Sequence, residues 1–380
     1  MRRAAVFGLL HAGLAVSRSL GRVGVPVTGI TWDSREFGLR SRYLDSREVV
    51  EPGDDEAVLW VLRRAASDGR VVFFPERDEN VEFVLRHWDE VRAVADLPLP
   101  DDAEAVRRLR RKDVLPLVAA EADVLSPGTV LAESDEAVRD AGLRPPLVVK
   151  AVEGQEYALT FGHKAVVAEN VDDALVAVDE ARDRGFHMIV QEIVPDSHEH
   201  VFSLLAYIGQ AGEPLVTLVG RKVRQGPLRF GTSAVFEVDY EPRVLELGLR
   251  LLRTAGYTGI AHVEFARDPR DGEFRLLEVN TRLPVWAALA ANRYLDLPRI
   301  VYDDLCGREV APLPTFRDQL TWIYLAKDVW VSLQMARRRE LRAREFASRY
   351  LRGRKARAVF ARDDPWPAVA SLGYLRSRTP

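Results

Sequence analysis

The sequence predicts an α/β N-terminal domain, then a mixed α+β region of two small lobes, and finally a small helical C-terminal extension. Three observations support this class. Strand and helix patterns alternate in the first part of the chain, strand patterns cluster in the middle part, and arginine-rich sequence follows. We place the three regions at 1–97, 98–308 and 309–380.

Composition excludes several classes of protein. The 380 residues carry a net charge of −3, which argues against nucleic acid as a partner. The single cysteine, Cys306, rules out an internal disulfide framework and any multi-cysteine metal site. There is no run of about 18 apolar residues, so we expect no membrane span. Residues 1–17 resemble a signal peptide, but the strand pattern that follows favours a mature, cytoplasmic N-terminus.

The N-terminal region is expected to form a parallel sheet with crossover helices, because strand and helix patterns alternate. Strands are predicted at 4–8, 25–30, 47–50 and 70–74, and helices at 13–22, 54–67 and 78–89. The segment PLPDD at 98–102 interrupts the alternation. Asp101 or Asp102 is expected to cap a helix over 103–111.

The middle region combines longer strands with helices. Strands are predicted at 147–151, 164–168, 187–194, 201–208, 214–220, 234–238, 259–266 and 274–280. Helices are predicted at 133–141, 171–184, 241–255 and 285–296. This mixture indicates an α+β arrangement.

The C-terminal region begins with the linker APLPTF and a predicted tryptophan-containing helix near 318–335. The segment 337–362 then holds eleven lysines or arginines and only two acidic residues. Such a run is either a solvated helix face or a docking surface for an anionic partner, such as a membrane headgroup or a polyanionic substrate. The sequence leaves both interpretations open.

The segment RLLEVNTRLPV at 275–285 combines an apolar strand pattern with regularly spaced polar residues. Glu278, Asn280 and Arg282 recur at every second residue and therefore share one face of a strand. A short Asp/Gly turn joins this strand to GIAHVEFA, so Glu264 is expected to lie beside Glu278. Two carboxylates and an amide oxygen suit Mg²⁺, with Mn²⁺ as an alternative, and Arg282 offers a fork for a phosphate or carboxylate.

Four basic residues are candidates to contact a phosphate chain at this site. Lys150 ends an apolar strand pattern, and Lys112 lies at a helix start. Arg221 and Lys222 follow the strand pattern PLVTLVG. Each alone is ordinary at a strand or helix end. Beside a predicted acidic metal site, the four together favour a nucleotide phosphate chain.

The order of these motifs over 1–308 resembles the ATP-grasp superfamily, most closely its carboxylate–amine ligase and carbamoyl-phosphate-synthetase-like branch. The motifs that carry the resemblance are Lys112, PG at 127–128, LVVKA, IVQEIV, GRKVRQ, HVEFA and LLEVNTR. The resemblance implies a Rossmann-like N-terminal domain and a two-lobed ATP-grasp fold. ATP would lie between the lobes, with a hinge near 190–195.

The resemblance also implies roles for the matching residues. Implied nucleotide contacts are Lys112 and Lys150 at the phosphates, Gln191, Glu192, Ile193 and Val194 at the adenine, and Glu199 at the ribose. Implied magnesium ligands are Glu264, Glu278 and Asn280. Arg282 matches the arginine near the transferred phosphate, and Lys222 and Arg221 complete the predicted catalytic set.

The resemblance implies an ADP-forming ligase that joins a small carboxylate to an amine through an acyl phosphate. Residues 225–237 are predicted to form a bent loop, along which Arg224 and Arg229 would bind a substrate carboxylate. An amino acid or related acid is then the expected substrate. The alternative is an ATP-binding regulatory or scaffolding protein with little turnover, and a homodimer is an open alternative for its assembly.

Two features depart from the family pattern. The loop after Lys150 is usually rich in glycine, but here it holds only Gly154 and Gly162. Thr281 replaces the proline that commonly follows the asparagine. Neither change removes a predicted ligand.

Other candidate sites carry less weight. FGLLHAG followed by Asp33 suggests a dinucleotide site, but it lacks the G-x-G-x-x-G spacing. The Gly8–Gly13 turn is therefore expected to line a substrate pocket. His198 and His200 share a face without a third zinc ligand. His262 either lines the acidic site or is an ordinary packed histidine.

Overall fold

The computed structural model describes residues 1–152, 154–196, 200–226, 231–338, 346, 350 and 353–376. The strands in this part of the chain form three sheets of five, four and seven strands. None of the helices within these ranges has both the length and the apolar character needed to cross a membrane.

The five-stranded sheet lies in the N-terminal region. Its strands are β1 (Ala4–Phe7), β2 (Val27–Thr31), β3 (Ser46–Val49), β4 (Val71–Pro75) and β5 (Ala95–Asp96). The helices here are α1 (His11–Arg22), α2 (Asp55–Ala65), α3 (Asp78–Arg86) and α4 (Trp88–Val94). All strand pairs are parallel, in the order β3-β2-β1-β4-β5, as the alternation of strand and helix patterns predicts. The single helix predicted over 78–89 is divided at His87.

The four-stranded sheet is antiparallel. Two helices precede it, α5 (Ala103–Arg110) and α6 (Leu115–Glu121). Its strands are β6 (Thr129–Leu131), β7 (Leu147–Ala151), β8 (Val166–Ala168) and β9 (Met188–Glu192), in the order β6-β9-β7-β8. The helices associated with it are α7 (Asp135–Asp140), α8 (Gly154–Phe161) and α9 (Val171–Arg182). The glycine-poor segment after Lys150 thus forms α8 rather than an extended loop.

The seven-stranded sheet is the largest. Its strands are β10 (Val201–Ile208), β11 (Pro214–Gly226), β12 (Thr232–Val238), β13 (Gly259–Arg267), β14 (Phe274–Asn280), β15 (Leu320–Ile323) and β16 (Arg354–Arg357). The remaining helices are α10 (Pro242–Thr254), α11 (Leu297–Leu305), α12 (Leu325–Arg337) and α13 (Trp366–Arg376). The order is β14-β13-β10-β11-β12-β15-β16, and only β15 and β16 are parallel to each other.

The prediction of a bent loop over 225–237 is wrong for its described residues. Gln225 and Gly226 end β11, and β12 begins at Thr232. The two strands pair directly, with Gln225 opposite Ser233. Side chains at the end of β11 and along β12 are buried, as expected of paired strands.

The C-terminal region is not wholly helical, because β15 and β16 extend the seven-stranded sheet. Leu320 and Trp322 point into the core, with Thr321 between them less buried, which is the alternation of a strand. The predicted helix over 285–296 is also wrong. Only a short 3₁₀ turn forms there, and α11 begins at Leu297, where the following proline suits a first helical turn.

The N-terminal sheet and the seven-stranded sheet pack against each other through shared hydrophobic clusters. Phe7 and Phe73 belong to the same buried cluster as Phe265 and Leu276. The four-stranded sheet has a separate, smaller core. The shared clusters bring the connection between β4 and α3 against the end of β14.

Candidate active site

The hairpin of β13 and β14 brings the predicted acidic residues together. Glu264 lies opposite Glu278, and His262 lies opposite Asn280. A β-bulge follows the Glu264–Glu278 pair, because Phe265 pairs with Leu276. The extra residue changes which side chains face the core, so Leu276 and Val279 are both buried although they are three residues apart.

The two acids differ in their surroundings. Glu264 is 5% exposed and accepts a hydrogen bond from Nζ of Lys222 at 2.8 Å. Burial would lower the pKa of Lys222, but the charges of Glu264 and Glu278 outweigh that effect and raise it. Glu278 is exposed, and its Oε1 accepts a hydrogen bond from Nδ2 of Asn280 at 2.9 Å. One acid is thus held by a lysine, while the other faces solvent.

His262 lines this cluster as a neutral side chain. Its Nε2 lies 3.3 Å from Oε1 of Glu264, and its ring packs edge-on against Trp286. Burial, with the charge of Lys222, lowers the pKa of His262 to about 3. Of the two alternatives for His262, the structure shows a packed histidine that also borders the site.

The oxygen atoms on this hairpin suit a cation that binds few protein ligands and takes the others from phosphate and water. No group of three or more His, Cys, Asp or Glu side chains within the described ranges is placed to hold a metal ion. Glu264, Glu278 and Asn280 instead offer two carboxylates and one amide oxygen on a single hairpin. Mg²⁺ commonly binds one or two carboxylates and completes its shell with phosphate oxygens and water.

Arg282 is held by an aspartate that the sequence did not identify. Its Nε and Nη2 donate to the two carboxylate oxygens of Asp78 at 2.9 and 2.7 Å, and Nη2 lies 3.3 Å from Oδ1 of Asn280. Burial would raise the pKa of the Asp78 carboxyl, but the Arg282 charge holds it well below its usual range. The arginine is therefore charged and fixed beside the acidic hairpin.

Two of the predicted phosphate lysines lie near each other, and the charge of Glu278 on the hairpin acts on one of them, Lys150. Nζ of Lys150 donates to Oε1 of Gln191 at 2.9 Å, and Nζ of Lys112 donates to the carbonyl oxygen of Ala151 at 2.7 Å. Burial lowers the pKa of Lys150 to about 8, although the charge of Glu278 opposes that shift. Lys150 is thus a partly buried amine beside an acidic cluster, not a solvated lysine at a strand end.

The predicted adenine hinge comprises the last two residues of β9 and the two residues that follow it. Gln191, Glu192 and Val194 are buried. The backbone N–H of Glu192 already donates to Gly128, and that of Ile193 donates to Pro146. These two N–H groups are therefore engaged within the protein, so contact with an adenine ring would use other backbone groups and the apolar surface of the hinge.

Arg221, one of the predicted basic residues, faces away from the acidic hairpin. Arg221 pairs with Glu237 at 2.6 Å and Asp239 at 2.8 Å. Lys222 is the next residue on the strand, and neighbouring side chains of a strand point to opposite faces. Since Lys222 reaches Glu264, Arg221 lies on the other face of the sheet. The prediction that Arg221 belongs to the catalytic set is therefore wrong.

The prediction that Arg224 binds a substrate carboxylate is also wrong. Its side chain is 4% exposed, and it donates two hydrogen bonds to the fully buried Asp328 at 2.5 and 2.8 Å. The pair joins β11 to α12. The other predicted substrate arginine, Arg229, lies outside the described residues, as do the predicted ribose acid Glu199 and His198.

The sequence of this chain is similar to a protein-family model and to a D-aspartate ligase. A family model described as "Carbamoyl-phosphate synthase L chain, ATP binding domain" matches residues 232–293, the stretch that contains the β13–β14 hairpin. The D-aspartate ligase of Enterococcus faecium (strain Aus0004) is 24% identical over 239 residues. The match covers 60% of this chain and 56% of that protein, so it spans little more than half of the curated relative.

Two solved structures are similar to about four fifths of this chain. The biotin carboxylase domain of Hydrogenobacter thermophilus 2-oxoglutarate carboxylase, in complex with MgADP, ADP and bicarbonate, is 14% identical with a TM-score of 0.65. The comparison covers 82% of this chain and 71% of that one. The L-amino acid ligase from Bacillus licheniformis is 16% identical with a TM-score of 0.59, covering 80% and 74% of the two chains. These similarities show a shared fold of mixed sheets and helices.

Proposed function

We propose that this chain, which has the ATP-grasp fold, is an ADP-forming ligase that joins a carboxylate to an amine. One observation carries the proposal: Glu264 lies opposite Glu278 on a hairpin that ends beside Arg282. The D-aspartate ligase and the L-amino acid ligase among the similar proteins support an amide or peptide bond as the product.

The proposed cation ligands are Glu264, Glu278 and Asn280. Their oxygens match the preference of Mg²⁺, and Mn²⁺ takes similar ligands. The ADP-bound relative with magnesium supports the same pairing of cation and nucleotide. When bound, the cation would neutralise negative charge on the phosphate chain.

The proposed phosphate contacts come from three lysines and one arginine. Lys150 now donates to the neutral amide of Gln191, and a phosphate oxygen would be a stronger, charged acceptor. Lys112, whose charge acts on Lys150, and Lys222, which is paired with Glu264, would add positive charge. Arg282, fixed by Asp78, would stabilise charge that develops on the transferred phosphoryl group.

We assign the nucleoside contacts from the family resemblance. Gln191, Glu192, Ile193 and Val194 would border the adenine, and Glu199 would bind the ribose hydroxyls. Gln191 lies between Lys150 and Thr129 in the hydrogen-bond network, which supports a link from the hinge to the phosphate lysines.

The proposed reaction has two steps. A carboxylate oxygen attacks the γ-phosphorus of ATP, so ADP leaves and an acyl phosphate forms. The amine nitrogen then attacks the acyl carbon, phosphate leaves, and the nitrogen loses a proton. An amino acid or related acid is the proposed substrate, and Arg229 remains a proposed carboxylate contact. The alternative, a regulatory protein with little turnover, is not favoured by the similarity to named ligases.

We also infer the organisation around this site. Residues 1–97 form a Rossmann-like domain, 98–308 the ATP-grasp domain and 309–380 an extension, and the parallel order of the first sheet supports the first assignment. The location is cytoplasmic, where ATP is abundant. A homodimer is supported by the dimeric biotin carboxylase relative. An anionic partner for 337–362 is a further proposal, and much of that segment lies outside the described residues.

Trapping with hydroxylamine tests the proposed function without knowledge of the amine. The protein would be incubated with ATP, Mg²⁺, hydroxylamine and each of a panel of amino acids and small carboxylates. We expect at least one carboxylate to give a hydroxamate together with an equal amount of ADP. If every carboxylate in the panel gives neither product, the proposed ligase activity is contradicted.

A further inference from the structure

Strands β1 and β4 of the N-terminal sheet end beside the acidic hairpin. The chain runs from β1 to β2 and β3 on one side, then returns to β4 on the other side of β1. The reversal creates a crevice between the carboxyl ends of β1 and β4. In open α/β sheets, ligands bind in a crevice of this kind.

Two buried oxygen atoms at this crevice lack partners. Glu76 directly follows β4 and is 5% exposed, and Asn80 lies in the first turn of α3 and is 1% exposed. Among the described residues, Oε2 of Glu76 and Oδ1 of Asn80 have no hydrogen-bond partner. Buried acceptors of this kind are unusual, because leaving them without a donor costs free energy.

Glu76 contacts the last residue of β1, and Asn80 contacts the turn that follows it. The backbone N–H of Glu76 donates to the carbonyl oxygen of Phe7 at 2.9 Å. Oδ1 of Asn80 lies against Gly8, since a Cβ built on Gly8 would be 2.7 Å from it. Gly8 has a φ of +91°, so a larger residue would also be strained there. The turn thus leaves room for the carboxamide oxygen at the end of β1.

Neighbouring charges at the crevice are already paired. Arg77 pairs with Glu36 at 2.7 Å and also with Glu79, and Glu36 accepts a hydrogen bond from the backbone N–H of Leu9. Arg282 attracts Glu76 electrostatically, but its Nε and Nη2 are committed to Asp78. Among these charged groups, the Glu76 carboxyl is therefore left with an oxygen, Oε2, that accepts no hydrogen bond.

We propose that Glu76 and Asn80 bind the amino group of the amine substrate, an inference that rests on the ligase function proposed above. A protonated amine supplies several N–H donors and a positive charge, which the Asn80 oxygen and the Glu76 carboxylate would satisfy. One proton would then pass to that carboxylate, so that the nitrogen regains the lone pair with which it attacks. A carboxylate or phosphate offers no N–H donor to these two oxygens. The position beside Arg282 places this group on the side where the acyl phosphate would form.

The protonation behaviour of Glu76 agrees with this assignment. Burial raises the pKa of the Glu76 carboxyl to about 8, and the charge of Arg282 only partly opposes the shift. An ammonium group beside it would favour the charged carboxylate. The burial that penalises the charged acid would thus be compensated by the bound amine.

Kinetics of a Glu76→Gln variant test the proposal. The variant keeps the shape of the side chain but replaces an acceptor oxygen by an N–H₂ group, which repels an ammonium. With a carboxylate identified by hydroxamate formation, each of the twenty amino acids and methylamine would be titrated as the amine. We expect the KM for the amine to rise about ten- to a hundredfold, with the KM values for ATP and the carboxylate within twofold of wild type.

Two further variants separate binding from folding. Asn80→Ala should raise the same KM in the same direction, whereas Glu51→Gln, at an exposed position of the same region, should change nothing. Hydroxamate formation at saturating hydroxylamine should stay within twofold of wild type in all three variants, because a small neutral trap does not need the pair. This result would also show that each variant is folded.

The outcomes distinguish this inference from the proposed function. If hydroxamate forms normally but the KM for the amine is unchanged in both Glu76→Gln and Asn80→Ala, the oxygens bind only water and the inference is overturned. A rise confined to the KM for the carboxylate would overturn it as well. Absence of hydroxamate from the wild-type protein would refute the ligase function, and the inference with it.

Discussion

Replacing Asp78 by asparagine tests whether the N-terminal sheet holds Arg282 in place. The two groups form a two-point ion pair at 2.9 and 2.7 Å. Two charges about 4 Å apart attract by about 4 kcal/mol at an effective dielectric constant of about 20. The Asp78 side chain is 46% exposed, and desolvation of the arginine offsets part of the attraction. We therefore expect Asp78→Asn to lower the free energy of unfolding by about 1–2 kcal/mol at pH 7.

The effect should depend on pH with a definite sign. The Arg282 charge holds the pKa of Asp78 below that of the unfolded chain, so the unfolded state binds a proton more readily. The stabilisation is therefore complete above the unfolded pKa of about 4 and is lost as the pH falls below it. The difference between wild type and Asp78→Asn should shrink over the same range.

Urea unfolding of a double-mutant cycle measures this contribution. Wild type, Asp78→Asn, Arg282→Gln and the double variant would be compared at pH 7 and at about pH 3.5, with Asp68→Asn as an exposed control. We expect a coupling free energy of about 1–2 kcal/mol at pH 7 and a smaller value at low pH. A coupling below about 0.5 kcal/mol at pH 7 would refute the argument that the pair fixes the arginine.

Three other substitutions test the contacts of Lys150, Arg224 and Arg221. Lys150→Met should weaken ATP binding in calorimetry but not lower the free energy of unfolding at pH 7. Burial lowers the pKa of Lys150 to about 8, so the free energy of unfolding of wild type should rise relative to this variant as the pH increases from about 8 to 10.4. An unchanged affinity for ATP would contradict the assignment of Lys150 as a phosphate contact. Arg224→Ala should lower the free energy of unfolding by about 3–5 kcal/mol, because Asp328 is left buried without its cation, and a loss below about 1 kcal/mol in chemical unfolding would contradict that reason. Arg221→Ala should leave the KM for ATP within about twofold of wild type, and a tenfold rise would place Arg221 in the site after all.

Much of the fold could be predicted from local patterns. Strands such as Leu147–Ala151, Val201–Ile208 and Phe274–Asn280 match their predicted bounds because their apolar side chains and flanking turns are local signals. The 318–324 segment was harder, since LTWI becomes a strand only by pairing with β12 and β16. The intrinsic strand propensity of these residues does not indicate which strands they pair with.

The acidic hairpin was predictable because its signals are also local, whereas the residues that surround it come from distant parts of the sequence. Alternation in one strand and a short turn were enough to place Glu278 beside Glu264. The Asp78 partner of Arg282 is 204 residues away in sequence, and only the packing of the two sheets brings it near. The segment FPERDEN did offer a weak signal, because it places acidic residues directly after an apolar strand, at the edge where ligands bind. Arg224 was misassigned because its partner, Asp328, lies on a helix with no sequence relation to β11.

The most direct test of the cation site is the Mg²⁺ dependence of carboxylate-dependent ADP release in Glu278→Gln. The substitution keeps the shape of the side chain and removes one of the two facing carboxylates. Glu273→Gln, at an exposed position in the turn of the same hairpin, is the matched control. We expect turnover to fall by at least about a hundredfold in Glu278→Gln and to stay near wild type in the control. Near-normal turnover of Glu278→Gln at saturating Mg²⁺ would contradict the assignment of this hairpin as the metal site.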